Sequence, residues 1–121
     1  MKSQIKKIQD KLWKECKRIT LAKCGPHCYT CDAQYLVGSN CQLGHLIPSG
    51  ACGAFLRYDL RNLRIQCMRC NIHLGGNGAE YLRRMIQEVG QENTDQLFKD
   101  KNKTVKAIDH YIKTLKEYEQ L

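Results

Sequence analysis

Residues 66–77 read QCMRCNIHLGGN. Cys67 and Cys70 stand two residues apart, and a CxxC turn sets both sulfurs on one side of a tight bend, at a span that suits tetrahedral zinc. A second pair, Cys28 and Cys31, lies in CYTC, with 35 residues between the pairs. Two such knuckles complete a closed four-cysteine site, which is structural because no position is left for substrate. A chain of 121 residues has a limited core and gains from such a staple. A redox-active CxxC would need a βαβ pattern, and neither pair has one.

Between the pairs lie GHLIPSG (44–50) and LRYDLRN (56–62). Short apolar runs at 43–48 and 63–67 predict two strands. The segment 49–62 between them reads as a long loop. Residues 70–74 begin a helix that Gly75 and Gly76 interrupt. Further out, Ile5, Ile8, Leu12, Cys16 and Ile19 recur at spacings of three and four, predicting an amphipathic helix over 2–22. Lys2, Lys6, Lys7, Lys11, Lys14 and Lys17 decorate its other faces, Trp13 lies beside the apolar stripe, and Gly25-Pro26 ends it. Downstream, Asn77 reads as an N-cap with Glu80 as its capping-box partner. Tyr81, Leu82, Met85, Ile86 and Val89 continue that helix, and Gly90 suits its end. A short helical piece is expected over 94–99 and a polar linker over 99–103. Val105, Ile108, Ile112 and Leu115 mark a last helix.

The chain carries 20 Lys and Arg against 12 Asp and Glu, a formal charge of +8. That balance points to an anionic partner, most simply nucleic acid. The length excludes a large α/β enzyme, and 42% apolar residues fit poorly with disorder. No stretch approaches the roughly 18 apolar residues of a membrane span. MKSQIKKIQDKLWKEC at the N-terminus has no apolar signal core, so a reducing cytoplasm is expected. Eight cysteines in that compartment read as metal ligands rather than disulfides. Cys16 belongs to the helix stripe as core packing. Cys24, Cys41 and Cys52 with His27 form a lesser alternative, a second zinc site. His110 carries no functional reading.

The order is CxxC, then His45 on a strand, then Asn62 before a second strand, then CxxCN opening a helix. It resembles the HNH nucleases, the ββα-metal fold, in their zinc-stabilised form. GHLIPSG, LRYDLRN, QCMRCNIHLGGN and Tyr81 together resemble the phage NinG (Rap) recombination endonucleases over about residues 10–90. The resemblance implies an α+β domain spanning 1–121. Its parts would be a basic helix (1–23), a zinc and ββα core (24–77) and C-terminal helices (78–121). It also implies a metal-dependent endonuclease that acts on branched DNA such as Holliday junctions or D-loops during phage recombination. Symmetric cutting of a junction needs two sites, so a homodimer is expected, with the amphipathic terminal helices as its interface.

The chemistry suits the residues. A neutral imidazole near pH 7 can take a proton from water, and His45 is the candidate base. Asn62 would tie the loop to the first strand and hold His45. Asn71 would give a side-chain oxygen to a catalytic Mg²⁺ or Mn²⁺, acting as Lewis acid. Many HNH enzymes carry a metal ligand just before the base, where this chain has Gly44. His73, and also Asn77, are the candidate substitutes. Arg57, Arg61, Arg64 and Arg69 surround the expected site, and Arg83 and Arg84 follow on the next helix. Guanidinium forks suit phosphate. Lys6, Lys7, Lys11 and Lys14 would track a second duplex arm. Two other functions remain open. A zinc-dependent module that binds DNA without cutting is kept alive by Gly44. A sequence-reading HNH nicking or homing enzyme would need a further domain.

Overall fold

The structure, a computed structural model, describes residues 3–121. Lys2, at the start of the expected first helix, lies outside the described residues. Helix α1 spans Gln4–Cys24. The Ser3 hydroxyl accepts from the Lys6 backbone N–H at 3.2 Å, and Gly25 closes the helix with a positive φ of 74°. Ile5, Ile8, Leu12 and Cys16 form the apolar stripe, which packs with Tyr111, Leu115 and Tyr118 of the last helix, α5 (Ala107–Glu119). The terminal helices therefore cover each other's apolar faces. This is a correction to the expectation that those faces form a dimer interface.

Strands β1 (Gln42–His45) and β2 (Leu63–Gln66) make an antiparallel pair in which His45 faces Leu63 and Gln42 faces Gln66. Both end earlier than the sequence suggests, with His45 as the last residue of β1. Alternation divides the residues between two faces. Leu43, Leu63 and Ile65 join Leu12 and Cys16 of α1 in the larger core. Gln42, Gly44, Arg64 and Gln66 face the other way. There they meet the turn after the second cysteine pair and the helix α3 (Gly78–Val89), whose Tyr81 hydroxyl donates to the Gly44 carbonyl at 2.9 Å. The small sheet is thus covered on both sides, and every residue of β2 is buried.

The expected long loop contains a one-turn helix α2 (Gly53–Leu56) and a 3₁₀ turn (Leu60–Asn62) capped by Asp59. Leu56 enters a second core with Leu46, Ile47, Cys52, Tyr81, Met85 and Leu97. The segment Arg69–His73 is a wide π-type turn rather than an ordinary helical start, with the Leu74 N–H reaching the Arg69 carbonyl at 2.8 Å. Gly75 and Gly76 follow at φ 60° and 97°, conformations that cost glycine little. Asn77 is the N-cap residue of α3, as expected, and its carbonyl accepts from the Tyr81 N–H at 2.9 Å, but its side chain makes no capping bond. Its left-handed backbone (φ 51°) sends its amide to the Thr30 carbonyl and the Cys70 sulfur, while Glu80 is taken by Arg83 and Arg84. Helix α4 (Gln91–Asp100) is longer than the piece expected over 94–99. Asp100 is buried within it, so the linker begins later than residue 99. No described helix is long and apolar enough to cross a membrane.

Candidate functional site

The two knuckles converge. The sulfurs of Cys28, Cys31, Cys67 and Cys70 all lie within 4.8 Å of one another. Tetrahedral zinc with Zn–S bonds of about 2.3 Å separates its sulfurs by about 3.8 Å, and Cys31 and Cys67 stand 3.7 Å apart. The Cys70 backbone N–H points at the Cys67 sulfur at 3.5 Å and the Asn77 amide at the Cys70 sulfur at 3.7 Å. These donors suit thiolates, which accept hydrogen bonds. Donor chemistry and spacing both fit a closed metal site such as zinc. Among the described residues no other group of three or more His, Cys, Asp or Glu converges in this way. Cys24 is exposed, and Cys41 and Cys52 are buried in different cores. A second zinc site built on them with His27 is therefore not formed.

His45 ends β1 with its ring stacked on Trp13 of α1, at a centroid distance of 5.6 Å and an interplanar angle of 19°. Its Nε2 lies 2.8 Å from the Arg57 carbonyl oxygen. A carbonyl only accepts, so Nε2 carries the proton and Nδ1 keeps the lone pair. Burial, with the nearby Arg57 charge, holds the ring below its ordinary pKa of 6.5 despite the opposing pull of that bond. Asn62, fully buried, ties the segment just after β1. It accepts from the Ile47 N–H at 2.8 Å and donates to the Ile47 carbonyl at 3.0 Å. The Leu46 N–H reaches the Asn62 carbonyl at 3.0 Å.

Asn71 lines an open cleft with Trp13 and Lys17. It donates its amide to Gln42 Oε1 at 2.9 Å, leaving its own oxygen as an acceptor. That oxygen lies 3.1 Å from where a Cβ on Gly44 would stand, and Gln66 Oε1 lies only 1.8 Å from it. Gln66 is fully buried. Its amide is committed to Thr30 Oγ1 at 3.0 Å and the Gly76 carbonyl at 2.9 Å, so its oxygen is turned towards Gly44 and has no partner. Gln66 thus fills the space of the missing side chain. His73 is exposed on the π-type turn, and the structure gives it no contact with His45 or Asn71.

The basic residues separate into two groups. An open cleft of about 420 Å³ is lined by Lys6, Gln9, Trp13, His45, Ser49, Arg57 and Tyr58, and Lys14 lines the adjoining one. Lys7 and Lys11 are exposed and line neither. Arg69 is also exposed. Arg64, by contrast, is 7% exposed. It pairs with Glu88 at 3.0 Å and lies over the Tyr29 ring. The placement of Arg64 among the DNA-facing residues is corrected, because the strand's alternation turns it under α3. Arg61 is held by Asp59 and Asp100 at 2.8 and 2.9 Å, and Arg84 by Asp32 at 2.6 Å and Glu80 at 2.8 Å. Arg83 also pairs with Glu80. Sequence reasoning did not include Trp13, Lys17, Tyr58 or Gln66 in the site. The available signal was an aromatic ring among lysines on one helix face.

The family described as Bacteriophage Lambda NinG protein matches residues 2–121. Protein ninG of Escherichia phage lambda is 30% identical over 93 residues, covering 77% of this chain and 44% of that protein. Protein ninG of Escherichia phage 933W is 29% identical over 93 residues, covering 77% and 45%. Protein ninG of Enterobacteria phage H19B is 40% identical over 48 residues, covering 40% and 24%. The chain spans less than half the length of these relatives. No solved structure matches it.

Proposed function

This chain belongs to the bacteriophage NinG family, and from that premise we propose that it is a metal-dependent endonuclease. Its substrate is branched DNA, such as a Holliday junction or D-loop, met during phage recombination in the host cytoplasm. In this reading β1, β2 and the turn at Arg69–His73 are a ββα-metal core, and the four cysteines hold structural zinc. The observation that carries the proposal is the setting of His45. Its Nε2–H is spent on the Arg57 carbonyl, its Nδ1 is basic and neutral at pH 7, and lysines and Arg57 line the cleft in front of it.

Hydrolysis then follows from this chain's own groups. His45 Nδ1 takes a proton from water, the resulting hydroxide attacks phosphorus, the P–O3′ bond breaks, and the leaving 3′ oxygen takes a proton from a second water to become a hydroxyl. The Asn62 side-chain amide holds residue 47 and its backbone carbonyl holds residue 46, which fixes the end of the strand that carries the base. Lys6, Lys14 and Arg57 draw in the phosphate and weaken binding as salt rises. A divalent ion, Mg²⁺ or Mn²⁺, supplies Lewis acidity to the phosphate. Asn71 Oδ1 is the protein oxygen that would hold it, with water and phosphate oxygens in the remaining positions. Two copies would be needed to cut a junction symmetrically.

The test is cleavage of a four-way junction, a Y-fork and a linear duplex with Mg²⁺ or Mn²⁺. His45→Ala is expected to lose about 10²- to 10⁴-fold in rate while retaining zinc and DNA binding. Parent-like cutting by His45→Ala would remove the base assignment. Gly44 and the exposed His73 favour a second reading, a zinc-dependent module that binds DNA without cutting. Absence of cleavage with either metal on every substrate selects it.

A further inference from the structure

We propose that Trp13 is a stacking platform for an unpaired nucleobase next to the phosphate held before His45. The proposal rests on the reading of this cleft as a nucleic-acid site and names the part of the substrate that it selects. Trp13 is the chain's single tryptophan. The apolar stripe of α1 runs through Ile5, Ile8, Leu12 and Cys16, so Trp13 stands off the stripe and is not needed to fill the core. It remains 37% exposed. His45 stacks against the ring and Tyr58 meets it edgewise, at 6.4 Å and 75°. The ring is thereby held by two partners and still open to solvent.

Three clefts adjoin at this ring. Trp13 lines the one that holds His45 and Arg57, the one that holds Lys14, and a third that holds Lys17 and Asn71. Asp10 also lines the second cleft, and Lys6 meets its charge at 3.2 Å. An immobilised aromatic ring surrounded by cations is the arrangement that binds single strands, with the ring taking a base face and the cations the backbone. A base within a continuous duplex has both faces covered by its neighbours. Only a base out of the stack, at a branch point, bulge or strand end, offers a free face. The base step at which Trp13 stacks is therefore one where the duplex is interrupted, and the phosphate beside it lies before Nδ1 of His45.

The experiment reads binding, so its outcome is independent of cleavage. The zinc-loaded protein is titrated, without added divalent ion and without chelator, with a duplex carrying unpaired thymines at a junction and with the same duplex fully paired. The parent is expected to bind the interrupted DNA about tenfold more tightly, the worth of one stacked base, and its tryptophan fluorescence is expected to be quenched by that DNA. Trp13→Ala should lose the preference while keeping zinc and affinity for the paired duplex, and Trp13→Phe should keep most of it. A preference that survives Trp13→Ala, or a fluorescence signal unmoved at saturation by interrupted DNA, overturns the platform even if the protein cuts junctions. A platform that behaves as expected in a protein that cuts nothing leaves this inference standing and removes the nuclease reading instead.

Discussion

His45 gives its Nε2–H to the Arg57 carbonyl, and that bond fixes which nitrogen is left to accept a proton. Burial then sets when the ring is ready, because it lowers the pKa from 6.5. A base must be unprotonated to work. Cleavage rate is therefore expected to rise with pH and reach half its plateau below pH 6.5, as a rate–pH profile on a saturating junction substrate would show. The same shift has a sign for stability. The unfolded chain binds a proton on this residue more readily than the folded one. The contribution is complete above about pH 6.5 and declines as pH falls from there towards the folded pKa. Gly44 makes a second residue-scale case. A Cβ there would stand 1.8 Å from Gln66 Oε1, and Gln66 cannot turn away without breaking its bonds to Thr30 and Gly76. Gly44→Ala is expected to cost about 1–3 kcal/mol of stability. In a double-mutant cycle by denaturant unfolding, the cost should shrink when Gln66→Ala is already present.

At the scale of elements, α3 and α1 claim opposite faces of the strand pair, and this decides what each arginine does. Arg64 points under α3 to Glu88 and Tyr29, whereas Arg57 lines the cleft beside His45. Arg64→Ala is expected to lower the melting temperature with little change in DNA affinity at fixed salt once folded. Arg57→Ala should weaken DNA binding and flatten its salt dependence by about one unit of slope. Calorimetry and binding titrations at several salt concentrations separate the two. The cysteine knuckles were legible in the sequence because ligand spacing is local, and so was α1, because its stripe is periodic. Arg64 was misread because alternation says that neighbours point opposite ways, but not which face a distant helix will cover. Asn77 was placed correctly at the N-cap of α3, but its capping box was misread for a related reason. Its spacing to Glu80 is that of a capping box, yet contacts with Thr30 and Cys70 outweighed the local cap. Trp13 was placed correctly beside the helix stripe, but its meeting with His45, 32 positions later, follows only from how α1 crosses the strands.

For the whole molecule, the cysteine centre is part of the core rather than an ornament on it, since Cys28, Cys67 and Cys70 belong to the same cluster as Leu12, Leu63 and Ile65. Structural zinc contributes on the order of 10 kcal/mol in small domains, comparable with the whole net stability of about 5–15 kcal/mol of a folded protein. Elemental analysis is expected to give one zinc per chain, and a strong chelator to abolish the cooperative unfolding transition seen by circular dichroism. With the metal bound, four thiolates and one divalent ion take the formal +8 down by two.

A metal held by the four-cysteine centre would also turn a linear chain into a ring. The backbone leaves the cysteine cluster at Cys31, passes through β1, His45, the 49–62 segment and β2, and returns to it at Cys67. All the residues that hold His45 from within the sheet lie on that ring, whose outermost part, residues 48–51, is exposed. A ring with one cut is still a single piece. With a metal bound, a break in the backbone at 49–51 would leave both halves anchored to the same ion, so the integrity of the site would depend less on the continuity of the chain than on that metal.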